Sequence, residues 1–170
     1  WWIGAEGFGC EVAVTPEDQP AADEARALSQ LVWDLHFGVA PRPEVADVAD
    51  VVDDGVLARI EELAGPTERV VAGHDVYPVS VNVHGQRDEP LTVPERVAAY
   101  EEEARRWYER YRRPFWVAET SNLGLPVASG PEWLGALVGV IDRLRADGLP
   151  VHGVCWYSRG DQVDWHTMLT

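Results

Sequence analysis

An α/β fold built on parallel strands is what this sequence predicts, and three observations predict it. Short apolar runs, rich in Val and aromatic residues, stand at Trp1 to Glu6, Val70 to Val83, Phe115 to Glu119 and Val151 to Tyr157. Each is followed by a loop and then by a segment of helical periodicity or a chain end. Polar side chains gather at one end of the runs. Runs that are apolar throughout suit strands buried on both faces, and alternation with helices implies parallel βαβ connections. With 170 residues, 46% of them hydrophobic, the chain carries enough apolar material for one core, and residues 1–170 read as a single domain.

After the first run, Gly4, Gly7 and Gly9 read as a loop, because they do not open a helix as a dinucleotide-binding turn requires. Ala25, Leu28, Val32 and Leu35 recur at spacings of three and four, the apolar stripe of a first helix. The acidic stretch Asp47 to Leu63 predicts another helix, stopped by Gly65 and Pro66. Beyond the second run, Val97, Tyr100, Ala104, Trp107 and Tyr111 form a clear stripe, and Leu134, Leu137, Val138, Ile141 and Leu144 form the last one. "YRRPFWVAE" and "DGLPVHGVCWY" share a grammar of helix end, Pro, then strand. The stretches Ala40 to Asp50 and Gly85 to Pro94 read as insertions within the domain.

Charge and composition exclude several functions. A net charge of −15 repels polyphosphate, and the basic residues are scattered, so no nucleic-acid partner is expected. All fourteen are Arg. The absence of Lys excludes, for this segment, Schiff-base chemistry, a pyridoxal-phosphate lysine and a phosphate-loop lysine. Cys10 and Cys155 match no metal or redox spacing and read as buried thiols in a reducing compartment, which predicts a cytoplasmic protein. No apolar stretch approaches the roughly 18 residues that span a bilayer, so no membrane association is expected. The chain opens on Trp1 without Met and ends without a helix stop, which reads as truncation at both ends. No cofactor is expected. The histidines form no H-x-H or H-x-x-x-H pair, adjacent His74 and Asp75 face opposite sides of a strand, and no metal site is predicted. Ser80, Ser121, Ser129 and Ser158 lack the context of an esterase nucleophile.

The candidate site residues stand at the strand ends. Glu6 closes the first run, His74, Asp75 and Tyr77 interrupt the second, Glu119 closes the third, and Trp156 and Tyr157 close the last. Asp161, Asp164 and Trp165 follow just beyond. Carboxyl ends of parallel strands are where ligands bind. Glu119 is either a strand-end carboxylate pairing locally or a nucleophile for a sugar's anomeric carbon, a role that needs a second carboxyl roughly 5–5.5 Å away. Asp75 and Tyr77 are two apart and share a side, so the Tyr77 hydroxyl can hold a carboxylate ionised; the alternative is a buried ring with a solvated hydroxyl. Trp156, Tyr157 and Trp165 beside Asp161 and Asp164 read as a sugar platform with polar hooks, or as ordinary core aromatics.

In chain order, "GHDVYPVSV", "RYRRPFWVAETS" and "GVCWYSRGDQVDW" resemble the last three strand motifs of the retaining β-glycosidases of glycoside hydrolase family 1, in clan A. "IGAEGFG" with "LVWDLHFG" resembles strand five and its helix more weakly. The resemblance implies a partial (β/α)₈ TIM barrel, parallel strands five to eight with flanking helices, acting on β-glycosidic bonds with retention. It implies Glu119 as nucleophile, Tyr77 as the residue that orients it, and Asp75 where relatives often carry asparagine. Trp156 would lie under the sugar ring. Asp164 and Trp165 would grip its outer hydroxyls, Asp161 would stand in a common Asp-Asn pair, and Glu6 would end strand five. The family's acid/base glutamate follows an asparagine on strand four, and no Asn-Glu pair is present. The expected partners are a carbohydrate and the missing half-barrel, from the same parent chain or by self-association across open strand edges. The second function class is a non-catalytic carbohydrate-binding module.

Overall fold

The four apolar runs supply the four strands of one parallel sheet. The computed structural model describes residues 3–49 and 70–157, with positions 55, 56, 58, 59 and 62 of a helical segment between them. Its elements are β1 (Ile3–Gly7), β2 (Cys10–Ala13), α1 (Gln19–Phe37), β3 (Val71–Asp75), β4 (Val81–His84), α2 (Val93–Tyr111), β5 (Phe115–Thr120), α3 (Gly130–Ala146) and β6 (Val151–Trp156). The sheet order is β1-β3-β5-β6, and every pairing is parallel. Strands successive in the chain are therefore neighbours in space. That is the order of a barrel wall; a doubly wound sheet reverses direction at a switch point.

The run from Val70 to Val83 is not one strand. It breaks after Asp75, passes through a 3₁₀ turn at Pro78–Ser80, and resumes as β4. Pro78 has no N–H to give a ladder and its fixed φ suits the start of a turn. β4 pairs in parallel with β2 in a separate two-stranded sheet. Both strands leave from the carboxyl ends of β1 and β3, so the small sheet stands over the same end of the main one. The glycines expected to form a loop are partly strand, because Gly4 and Gly7 pair with Ala72 and Asp75. Inter-strand pairing overrides their weak strand propensity. Of the helix expected at Asp47 to Leu63, the described part is a turn at Ala46–Ala49 and the five helical positions above.

α2 shows why its ends lie where they do. Thr92 accepts from the Glu95 N–H while the Glu95 carboxylate reaches back to the Thr92 N–H at 2.7 Å, a capping box, and Pro94 sits in the first turn. The helix stops at Arg112, whose φ of 53° is left-handed. Its predicted stripe, Val97, Tyr100, Ala104, Trp107 and Tyr111, is buried throughout. In α3 the buried face is Trp133, Leu137, Val140, Ile141 and Leu144, while Val138 is exposed.

α1 departs further from its predicted stripe. Leu28 and Val32 are about half exposed, at 53% and 50%, and the helix instead buries Arg26, Gln30 and Asp34 along with Ala22, Ala27, Leu31 and Trp33. The buried polar row has partners on α2. Glu103 accepts from Arg26 Nε at 2.8 Å and Gln30 Nε2 at 3.0 Å, and Asp34 accepts two bonds from Arg110 and one from the Tyr111 hydroxyl. Polar groups buried with partners tolerate the interior. Among the described residues no helix is long and apolar enough to cross a membrane.

Candidate active site

The site starts from which face each strand residue takes. On β3, His74 is fully buried and stacked between Phe8 and Phe115, with centroids 4.0 Å and 4.7 Å away and planes within 20°. Trp107 of α2 meets it edge-on. His74 therefore faces the helix layer, and Asp75 faces the other way. On β5, Phe115 and Val117 are fully buried, Phe115 against His74 and Trp107. Simple alternation would send Glu119 to that same helix side.

A register shift prevents it. Val117 lies opposite His74, but Glu119 lies opposite the next residue, Asp75, so β5 advances two residues against one. This is a bulge, the device that re-aims a strand-end side chain. Thr120 then faces the helices, where its hydroxyl accepts from Trp133 Nε1 of α3 at 2.9 Å. Glu119, its neighbour in sequence, turns to the Asp75 side.

Tyr77 lies two residues past Asp75, beyond the end of β3, on extended backbone with φ −125° and ψ 163°. Its hydroxyl donates to Glu119 Oε2 at 2.7 Å. The backbones are joined as well, since the Val76 N–H donates to the Glu119 carbonyl at 3.0 Å. Partial burial pushes the Tyr77 phenol well above its usual range; the hydrogen bond to Glu119 and the charges of Glu119 and Asp75 push it the same way. The phenol is therefore a protonated donor at neutral pH. The arrangement can hold a carboxylate aimed.

The last strand corrects an expectation. Trp156 pairs in register with Thr120, the residue facing α3, and a side-chain carbon added at Gly130 would sit 3.7 Å from the edge of its indole. Its ring packs over the start of α3, not beside Glu119. Tyr157, one residue on, is the aromatic near enough to the Tyr77 hydroxyl to interact with it electrostatically, and its N–H donates to the Thr120 carbonyl at 2.8 Å. The run "CWY" offers both rings, and only the facing of Thr120 tells which lies on the helix side. Cys155 is exposed while Cys10 is buried, so the expectation of two buried thiols holds for Cys10 alone. β6 is an outer strand of the main sheet, which lets a residue there face outward.

No protein-family model and no curated protein sequence matches this chain. Solved structures do match. A β-glucosidase from Exiguobacterium marinum aligns with a TM-score of 0.74 at 14% identity, over 96% of this chain and 43% of its own. A family 1 β-glucosidase from Thermotoga maritima gives 0.69 at 14% identity, over 92% and 40%. A β-glucosidase from Thermotoga maritima in complex with glucoimidazole gives 0.74 at 16% identity, over 96% and 43%. The fold is part of a TIM barrel. The chain spans about two fifths of the length of these β-glucosidases.

Within this part of the barrel, Glu119, Tyr77 and Asp75 come together at the carboxyl ends of β3 and β5. Glu6 lies in β1 opposite His74, and its side chain is outside the described set. Asp161, Asp164 and Trp165 lie outside the described residues.

Proposed function

We propose that this chain carries the nucleophile side of a retaining β-glycosidase. Glu119 attacks the anomeric carbon, the bond to the leaving oxygen breaks as a second carboxylic acid protonates that oxygen, and water then releases the sugar from Glu119 with that second group acting as base. The observation that carries the reading is the 2.7 Å bond from the Tyr77 hydroxyl to Glu119 Oε2, made at adjacent strand ends of a barrel whose solved counterparts are β-glucosidases. The donor holds the carboxylate in place for attack. It also fixes the lone pair that attacks.

The substrate class is a β-glycoside, with Asp75 and Tyr157 lining the sugar's place and Asp161, Asp164, Trp165 and Glu6 as further contacts. The acid/base group comes from outside this half-wall. β1 and β6, the outer strands, are where the rest of the wall attaches, whether from the parent chain or from a second copy. The free thiols suit the reducing cytoplasm.

The test isolates the nucleophile. A 2-deoxy-2-fluoro-β-glucoside with a dinitrophenyl leaving group departs without a proton, so glycosylation needs no acid, and the fluorine slows release of the adduct. The expected result is a covalent sugar on the peptide containing Glu119, absent in Glu119→Gln. An adduct on another residue removes Glu119 from the mechanism. Saturable sugar binding with no adduct would favour the non-catalytic binding module.

A further inference from the structure

The turn that carries Tyr77 is held from behind by a cation that the site itself does not contain. Arg96 lies in the first turns of α2, half-buried. Its Nε donates to the Leu91 carbonyl at 3.1 Å and its Nη1 donates to the Pro78 carbonyl, one residue past Tyr77. A cation near a helix N-terminus opposes the helix dipole. Burial pulls the Arg96 guanidinium below its usual range, with Glu95 opposing that pull.

Among the described residues no carboxylate forms an ion pair with Arg96. Glu95 beside it is committed to Thr92 and Arg87. The guanidinium is thus spent on two carbonyls, and one of them belongs to the Tyr77 turn. Among the described residues this half-buried cation pairs with carbonyls alone, against the helix dipole, which is a costly way to satisfy one backbone oxygen. A geometric need at the turn explains it.

That need is visible on both sides of Tyr77. On the near side, the Val76 N–H is tied to the Glu119 carbonyl. Within the turn, the Tyr77 N–H donates to Ser80 Oγ at 3.0 Å and the Ser80 N–H returns to the Tyr77 carbonyl at 2.9 Å. These bonds fix the turn's internal shape. The Val76 bond ties the start of the turn to β5, and the Arg96 bond to Pro78 ties its far side to α2. We propose that Arg96 is a positioning residue that holds the Pro78 carbonyl and thereby keeps the Tyr77 hydroxyl on Glu119. Its catalytic meaning rests on the reading of Glu119 as nucleophile.

The test reads the Tyr77 hydroxyl directly and needs no turnover. Tetranitromethane nitrates tyrosinate, so at about pH 8 the rate at each tyrosine rises about ten-fold for every unit its pKa falls. Nitration of this chain is followed by peptide mass spectrometry in the unmodified protein, Arg96→Gln, Arg96→Lys and Glu119→Gln. Tyr100 and Tyr111, both buried, are internal references.

The expected result is a rise of about ten-fold or more at Tyr77 in Arg96→Gln and in Glu119→Gln, with the references unmoved. Arg96→Lys should fall between, because an ammonium can serve one carbonyl but not the fork geometry of both. It also carries the test should Arg96→Gln fail to fold. Tyr77 nitration unchanged on losing the guanidinium overturns the proposal, as does an equal rise at all three tyrosines, which would mean general loosening. An unmoved Tyr77 in Glu119→Gln would mean that the phenol–carboxylate bond is absent in solution, and the proposal falls with it. Failure to trap a sugar on Glu119 removes the glycosidase reading and leaves this readout intact.

Discussion

Truncating Glu103 to alanine should remove about 4 kcal/mol of stability, a figure that follows from what surrounds the carboxylate. It is 2% exposed and accepts from Arg26 Nε at 2.8 Å and from Gln30 Nε2 at 3.0 Å. Breaking a buried ion pair by removing one partner costs about 3–5 kcal/mol, because the other charge stays buried. Arg26 keeps Asp23 and the Glu11 carbonyl, which places its share at about 3 kcal/mol. The stranded Gln30 amide adds about 1 kcal/mol. Urea unfolding followed by tryptophan fluorescence measures the loss, with the slope unchanged if only the native state is affected. Removing both charges together, as Arg26→Met with Glu103→Leu, should cost less than about 2 kcal/mol, since no unpaired charge remains. A loss below about 1 kcal/mol in Glu103→Ala, or a double variant as unstable as the two single variants summed, would refute the reasoning.

Three further outcomes follow from other parts of the fold. His74 is fully buried, and desolvation holds its pKa well below the usual imidazole range. The unfolded chain therefore binds the extra proton first, so stability should fall as pH drops below about 6.5, by about 1.4 kcal/mol per unit until the folded value is reached. His74→Phe should flatten that slope in unfolding experiments between about pH 5 and pH 6.5; an unchanged slope would exclude His74 as its source. Gly124 has a φ of +86°, and a Cβ there would lie 2.1 Å from Val79 Cγ1. Gly124→Ala should thus cost about 1–2 kcal/mol from backbone strain alone, and pairing it with Val79→Ala should recover only the contact part in thermal unfolding. Tyr77→Phe removes the donor to Glu119, a charge-assisted bond of about 1.5–3 kcal/mol. On the proposed glycosidase reading, kcat of the parent protein on an aryl β-glycoside should fall roughly 10- to 150-fold if that bond is kept through the transition state.

Much of this was legible in the linear pattern, and the failures share a cause. Strand positions, the stripe of α2 and the placing of Tyr77 and Glu119 at strand ends could be read because each depends on local periodicity or on where an apolar run stops. The α1 stripe was misread at Leu28 and Val32 because the buried face of that helix is partly polar, and periodicity counts only apolar residues. Arg26, Gln30 and Asp34 look like surface positions until Glu103, Arg110 and Tyr111 of α2 stand opposite them. Which of Trp156 and Tyr157 packs on the helix side is not legible, because period-two alternation gives two faces without saying which is which.

By itself, then, the order of residues determined that helices and parallel strands alternate, roughly where the main-sheet strands and long helices fall, and that a carboxylate and a phenol stand at strand tips. These are consequences of short-range sterics, capping and the clustering of apolar side chains. Only the tertiary structure decided that Glu119 shares a face with Asp75 and Tyr77, because that depends on a one-residue slip between β5 and β3. A bulge arises from how two distant segments pair, and no periodicity within either segment records it. The same holds for Arg96 and Pro78: eighteen positions apart, they meet only because α2 packs against the turn after β3.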